Sequence, residues 1–136
     1  AIPNGYLFTL EGSKSCTEIA QYNLNRLGLE NTQIVLGDFK DTLPMVLKEL
    51  PQLDYVFFDG NHTMEATLDY FEQCKKLAHN DTIFVFDDIN WSDDMNESWE
   101  RIKLDKSVKV TIDLFFLGIV FFRNENKEKE NFKIRF

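Results

Sequence analysis

The sequence predicts an α/β protein, a doubly wound and mostly parallel sheet that ends in an antiparallel hairpin. Two observations carry this expectation. Short apolar runs alternate with helical periods four times along the chain, the pattern of strands joined by crossover helices. Residues 108–112 and 117–122 then follow one another around Gly118, with too few residues between them for a crossover, and so read as a hairpin. At 136 residues, 43% of them hydrophobic and thirteen of them Phe, the chain is expected to form one domain with a sizeable core.

Residues 6–10, aromatic and branched and stopped by Glu11-Gly12, form the first expected strand. Ser15 and Glu18 make a capping box for a helix whose apolar face is Cys16, Ile19, Ala20, Leu24 and Leu27, with Gly28 as its stop. Residues 33–36 are a second strand, closed by Gly37-Asp38. A short helix follows, with Leu43, Val46, Leu47 and Leu50 on one face and Pro44 in its first turn. Leu53–Phe58 lacks polar alternation, as a central strand covered on both faces should. A helix is expected over residues 63–78, a turn at Asn80-Asp81, and a fourth strand over 82–86. Residues 90–96 read as a polar segment, followed by a helix with Met95, Trp99 and Ile102 on one side. Beyond the hairpin, residues 124–131 are a charged, solvated run and 132–136 a final short strand.

A net charge of −8 argues against nucleic acid or an anionic membrane as partner, because both require basic surface. The longest apolar run, residues 114–122, is too short to span a bilayer, and no basic region followed by an apolar one opens the sequence. Cys16 and Cys74 form no disulfide framework and no metal-ligand spacing; both read as helical core residues of a cytoplasmic protein.

In doubly wound sheets ligands bind beyond the carboxyl ends of the strands. All four predicted parallel strands end there in acids: Glu11, Asp38, Asp59, and Asp87 with Asp88. A carboxylate at one strand end can accept both hydroxyl protons of a ribose, and one at the next can accept from an adenine amine. The competing reading is that Glu11 and Asp38 cap helices or face solvent. Asp59, Asp87 and Asp88 offer hard oxygen ligands suited to Mg²⁺ or another divalent cation, or else they bond backbone amides at helix starts. His62, three residues after Asp59, is a candidate general base or a hydrogen-bonding surface group.

The ordered set Thr9-Leu10-Glu11-Gly12, Leu36-Gly37-Asp38-Phe39 with Leu43-Pro44, Phe58-Asp59-Gly60-Asn61-His62 and Phe86-Asp87-Asp88-Ile89 resembles class I S-adenosylmethionine-dependent methyltransferases, most of all their metal-dependent O-methyltransferase branch. The resemblance covers nearly the whole chain and implies a Rossmann-like fold. It implies cofactor contacts at Glu11, which falls where the family holds the ribose, and at Gly12, Asp38, Phe39 and Asp59, with Asp38 beside the adenine. It implies metal ligation by Asp59, Asp87 and Asp88. Catechol-type members carry a lysine base where this chain has His62; macrolide sugar O-methyltransferases carry a histidine there.

The family's first strand and glycine-rich loop have no counterpart in this sequence. In the family that strand lies between the strands matched by residues 6–10 and Leu53–Phe58. The chain is therefore expected to be the carboxyl-terminal part of a longer enzyme, and the 136 residues to bind S-adenosylmethionine weakly or not at all. Two alternatives are that the two strands meet directly or that a second chain, as in a homodimer, fills the gap. The expected activity of the whole is methyl transfer to an oxygen of a small molecule. The alternative is a non-catalytic Rossmann-like interaction domain that has lost its cofactor. A phosphate-receiver domain is excluded by the order of its acids, which pair on the first strand rather than on a later one.

Overall fold

The computed structural model describes residues 5–135, which gather into two compact units divided after Glu49. The first unit holds β1 (Leu7–Glu11), α1 (Lys14–Arg26), β2 (Thr32–Leu36) and α2 (Phe39–Leu47). The second holds β3 (Leu53–Phe58), α3 (Met64–Cys74), a 3₁₀ turn (Lys75–Leu77), β4 (Ala78–Phe86), α4 (Asp93–Leu104), β5 (Val110–Asp113), β6 (Gly118–Phe121) and β7 (Glu130–Lys133).

In the first unit β1 and β2 pair in parallel, with Glu11 opposite Leu36. The cap of α1 is Ser13 rather than Ser15: its hydroxyl accepts from the Cys16 amide at 3.4 Å and also meets the Ser15 hydroxyl at 3.0 Å. Gly28, at φ +65, supplies the expected stop, since glycine enters the left-handed region without a Cβ penalty. The apolar stripe of α1 is not buried. Ile19 is 63% exposed and Cys16 is exposed, because a two-stranded sheet is too narrow to cover the whole face. Helix α2 begins four residues earlier than its apolar pattern suggested, because Asp38 caps it. Pro44 consequently falls sixth in the helix, where it removes one internal amide donor.

The second unit is a five-stranded mixed sheet in the order β3-β4-β6-β5-β7. Strands β3 and β4 are parallel, β4–β6 and β6–β5 antiparallel, and β5–β7 parallel. The β5–β6 pair is the expected hairpin. The final strand begins two residues before the expected one, and Phe136 lies outside the described residues. Strand β3 stands at the edge of this sheet rather than within it: Tyr55 and Phe57 are 57% and 47% exposed, while Val56 and Phe58 are half-buried. Helix α3 stops at Cys74, and β4 starts at Ala78, so the turn expected at Asn80-Asp81 lies within a strand. Helix α4 starts at Asp93, capped by Ser92, and absorbs most of the segment read as polar.

The core lies where α3 and α4 pack on this sheet. Phe71, Cys74, Phe84, Phe86, Trp99, Ile102 and Val120 are all essentially inaccessible. Burial pushes the Cys74 thiol up to about 12, so it behaves as a small apolar residue. Met95, Trp99 and Ile102 form the buried stripe of α4, as their spacing predicts.

Gly118 at the start of β6 lies directly under the Trp99 ring. A Cβ there would stand 2.7 Å from Trp99 Cζ3 and 2.8 Å from Cη2. The ring is fully buried and cannot withdraw. Gly118→Ala should therefore destabilise the protein by about 1–3 kcal/mol, read as a lower urea midpoint at unchanged slope.

Candidate active site

In the first unit the candidates sit at the carboxyl ends of β1 and β2. The Gly37 amide donates to the Glu11 carbonyl at 2.9 Å, extending the ladder one step past the strands. Gly37 adopts φ +154, and a Cβ there would meet Thr42 Cγ2 at 2.8 Å, so this close turn accepts only glycine. Just beyond it Asp38 Oδ1 accepts from the Lys40 amide at 2.9 Å, capping α2. The capping role weighed for Asp38 is thus observed, and it uses one of about four acceptor positions on the carboxylate. Glu11 is half-buried at the end of β1, Phe39 is half-buried in the first turn of α2, and a Cβ on Gly12 would meet nothing within 4 Å. A carboxylate at this strand end could accept from the hydroxyls of a nucleoside.

In the second unit Phe58 and Phe86 are register partners, and the Asp87 amide donates to the Phe58 carbonyl at 2.9 Å. Asp59 and Asp87 therefore leave adjacent strands side by side. Both strands end in left-handed turns, Asn61 at φ +49 and Asp88 at φ +54, and both positions hold residue types that tolerate this region. The turn after β3 brings His62 Nε2 to 3.5 Å from Asp59 Oδ1. Thr63 then caps α3 by accepting from the Ala66 amide, and Asp94 Oδ2 of α4 accepts from the Met64 amide at 3.4 Å. After Asp88 the buried Ile89 anchors the chain, and the Trp91 amide donates to the Asp88 carbonyl at 2.9 Å. Trp91 itself is 74% exposed.

Asp59 and His62 are thus brought together, with Asp87 on the neighbouring strand end. Among the described residues, no three His, Cys, Asp or Glu side chains stand close enough together to hold a metal ion. Although Asp59, Asp87 and Asp88 lie at adjacent strand ends, they form no such group.

A feature that sequence reading missed borders this end of the sheet. The turn between β5 and β6 carries Phe115 at φ +74, a costly backbone state for an aromatic residue, on the order of 1–3 kcal/mol. The buried Asp113 accepts from the Phe115 amide at 2.8 Å and from Arg135 at 3.0 Å. In the sequence Phe115 showed only as part of an apolar run. The signal available was Asp113, an acid closing a strand shortly before a glycine.

Residues 3–89 match the family described as methyltransferase domain. The chain belongs to that family. This methyltransferase-domain chain is 31% identical over 88 residues to a catechol O-methyltransferase from Mycobacterium tuberculosis, a match covering 64% of this chain and 38% of that protein. It is 33% identical over 92 residues to a catechol O-methyltransferase from Niastella koreensis, covering 65% and 41%. It thus spans about two-fifths of the length of these curated relatives. The O-methyltransferase TomG from Streptomyces achromogenes, solved in complex with SAM, superposes with a TM-score of 0.73 at 21% identity, covering 90% of this chain and 64% of that one. An O-methyltransferase from Bacillus cereus in complex with SAH gives 0.68 at 23% identity, covering 86% and 63%. These likenesses establish a Rossmann-like methyltransferase fold. Among the described residues no helix is long and apolar enough to cross a membrane.

Burial alone would push the Asp113 carboxyl up, but Arg135, the Phe115 amide and Lys133 outweigh it and hold it below the usual carboxylate range. A carboxyl whose folded pKa is lowered contributes stability above its unfolded value of about 3.9, and that contribution is lost as pH falls through the folded value. Asp113→Asn should therefore cost about 1–3 kcal/mol at neutral pH. The gap between variant and wild type should close as denaturation is followed below about pH 4.

Proposed function

We propose that the protein containing this chain transfers a methyl group from S-adenosylmethionine to an oxygen of a small molecule. The observation that carries the reading is the His62–Asp59 pair, set beside Asp87 at two in-register strand ends of a methyltransferase-domain fold. Bound S-adenosylmethionine supplies an electrophilic methyl carbon on a sulfonium. Glu11, at the end of β1, would accept from the ribose hydroxyls, with Gly12 beside it, and Asp38 and Phe39 would serve the adenine. His62 would take the proton from the acceptor hydroxyl as that oxygen is methylated, the cofactor keeping the C–S electron pair on its sulfur. Asp59 orients the imidazole and stabilises the imidazolium that forms. Aligning oxygen, carbon and sulfur supplies most of the remaining acceleration.

A second reading adds a divalent cation on Asp59, Asp87 and Asp88, favoured by three carboxylates at adjacent strand ends. Among the described residues these side chains do not converge into a ready chelate, so they would have to rearrange to hold the cation.

In the full-length protein, His62→Ala should lower kcat for methyl transfer by about 10²–10⁴-fold. Glu11→Ala should act chiefly on KM for S-adenosylmethionine. A His62→Ala enzyme with wild-type kcat would falsify the base assignment, and a wild-type protein that transfers no methyl group to any hydroxyl acceptor would leave the interaction-domain reading. For the cation, activity abolished by chelation and restored by Mg²⁺, with the same loss in Asp88→Ala, supports the second reading; activity indifferent to both removes it.

A further inference from the structure

The loop leaving Asp88 is held by a neighbouring turn. Two carbonyls of the β5–β6 turn face it: Phe116 accepts from the Ile89 amide at 3.1 Å, and Phe115 accepts from Asn90 Nδ2 at 2.7 Å. Asn90 Oδ1 in turn accepts from Asn96 Nδ2 at 2.8 Å, so one side chain ties the loop both to the turn and to the first turn of α4. The turn is itself over-determined. Phe115 is kept at φ +74 by the Asp113 carboxylate on its amide, by its edge-to-face packing with Phe116 at 4.9 Å, and by the Arg135 guanidinium 5.4 Å from its ring centroid. Strained backbone survives only where its surroundings dictate it, and such positions concentrate at functional sites.

We propose that Asn90 is a positioning residue: clamped to the Phe115–Phe116 turn, it holds the Asp87-Asp88 strand end in the arrangement that acceptor binding uses. This deepens the methyl-transfer reading and rests on it. Asn90 touches no reacting atom. It acts by denying the loop after Asp88 its alternatives, so that the two acids present one geometry instead of several. The cost of the left-handed Phe115 is the counterpart of that fixation, since a relaxed turn would aim its carbonyls elsewhere.

Two variants of the full-length protein test this. Asn90→Ala and Asn90→Asp both remove the donor to the Phe115 carbonyl, the first without adding charge and the second without changing size. In both, amide hydrogen exchange at Ile89 and Trp91 should quicken by about tenfold or more while Phe84 and Val120 in the sheet stay protected. In both, kcat should fall about tenfold with KM for S-adenosylmethionine unchanged, the split expected when only the acceptor side loosens. Unchanged exchange at Ile89 and Trp91 overturns the clamp, whatever the protein methylates. Faster exchange with unchanged kcat overturns its role in the acceptor site. A wild-type protein without methyl transfer overturns the preceding reading and with it the role of Asn90, an outcome the exchange data cannot imitate.

Discussion

The stacking of Phe58 on Phe86 is the contact on which the rest of the second unit depends. The rings lie 4.3 Å apart and 3° from parallel, on register partners that each precede an acid by one residue. Phe84 meets Phe58 and Phe122 edge to face at 5.4 and 4.9 Å, and Phe71 closes the group from α3. Each such pair is worth about 0.5–1.5 kcal/mol beyond the area it buries. Their larger effect is on register: a slip of one residue would turn every side chain of β3 to the other face. The positions of Asp59 and Asp87 are therefore set by aromatic packing in the core, without any attraction between the acids themselves.

The first unit reaches a comparable end by other means. Its strands are short and its helices leave much apolar surface open, so side-chain packing contributes less to placing Glu11 and Asp38. Backbone geometry does more: the Gly37 amide on the Glu11 carbonyl, the close approach of Gly37 to Thr42, and the cap that Asp38 places on α2. The Thr42 hydroxyl and amide both donate to the Asp38 carbonyl, which fixes the backbone of that acid at a strand-to-helix turn.

The alternation of elements, the hairpin around Gly118 and the acids at strand ends were legible because each follows from local periodicity or punctuation. The misplacements have local causes too. Ser15 and Ser13 are equally good caps by composition, and only the path of the chain selects Ser13. The apolar residues of α2 concealed a start that Asp38 sets. The apolar run of β3 reads as a central strand, but burial depends on which strands lie beside it, and within its sheet β3 is bordered by β4 alone. The Phe115–Phe116 turn was hard to read for a different reason: an unfavourable φ in an aromatic residue contradicts local preference, and here the local bond from Asp113 is joined by long-range partners, Asn90 and Arg135 among them.

Trp99 and Trp91 divide the molecule's spectroscopy between core and site. Trp99 is 2% exposed, wedged on Gly118, and its indole nitrogen has no hydrogen-bond partner, so its emission belongs to a dry, apolar environment. Trp91, three residues past Asp88, projects into solvent, where a soluble quencher can reach it. The chain thus carries two tryptophans of opposite character, one whose environment changes only when the core opens and the other open to quenching beside the loop that bears the acids.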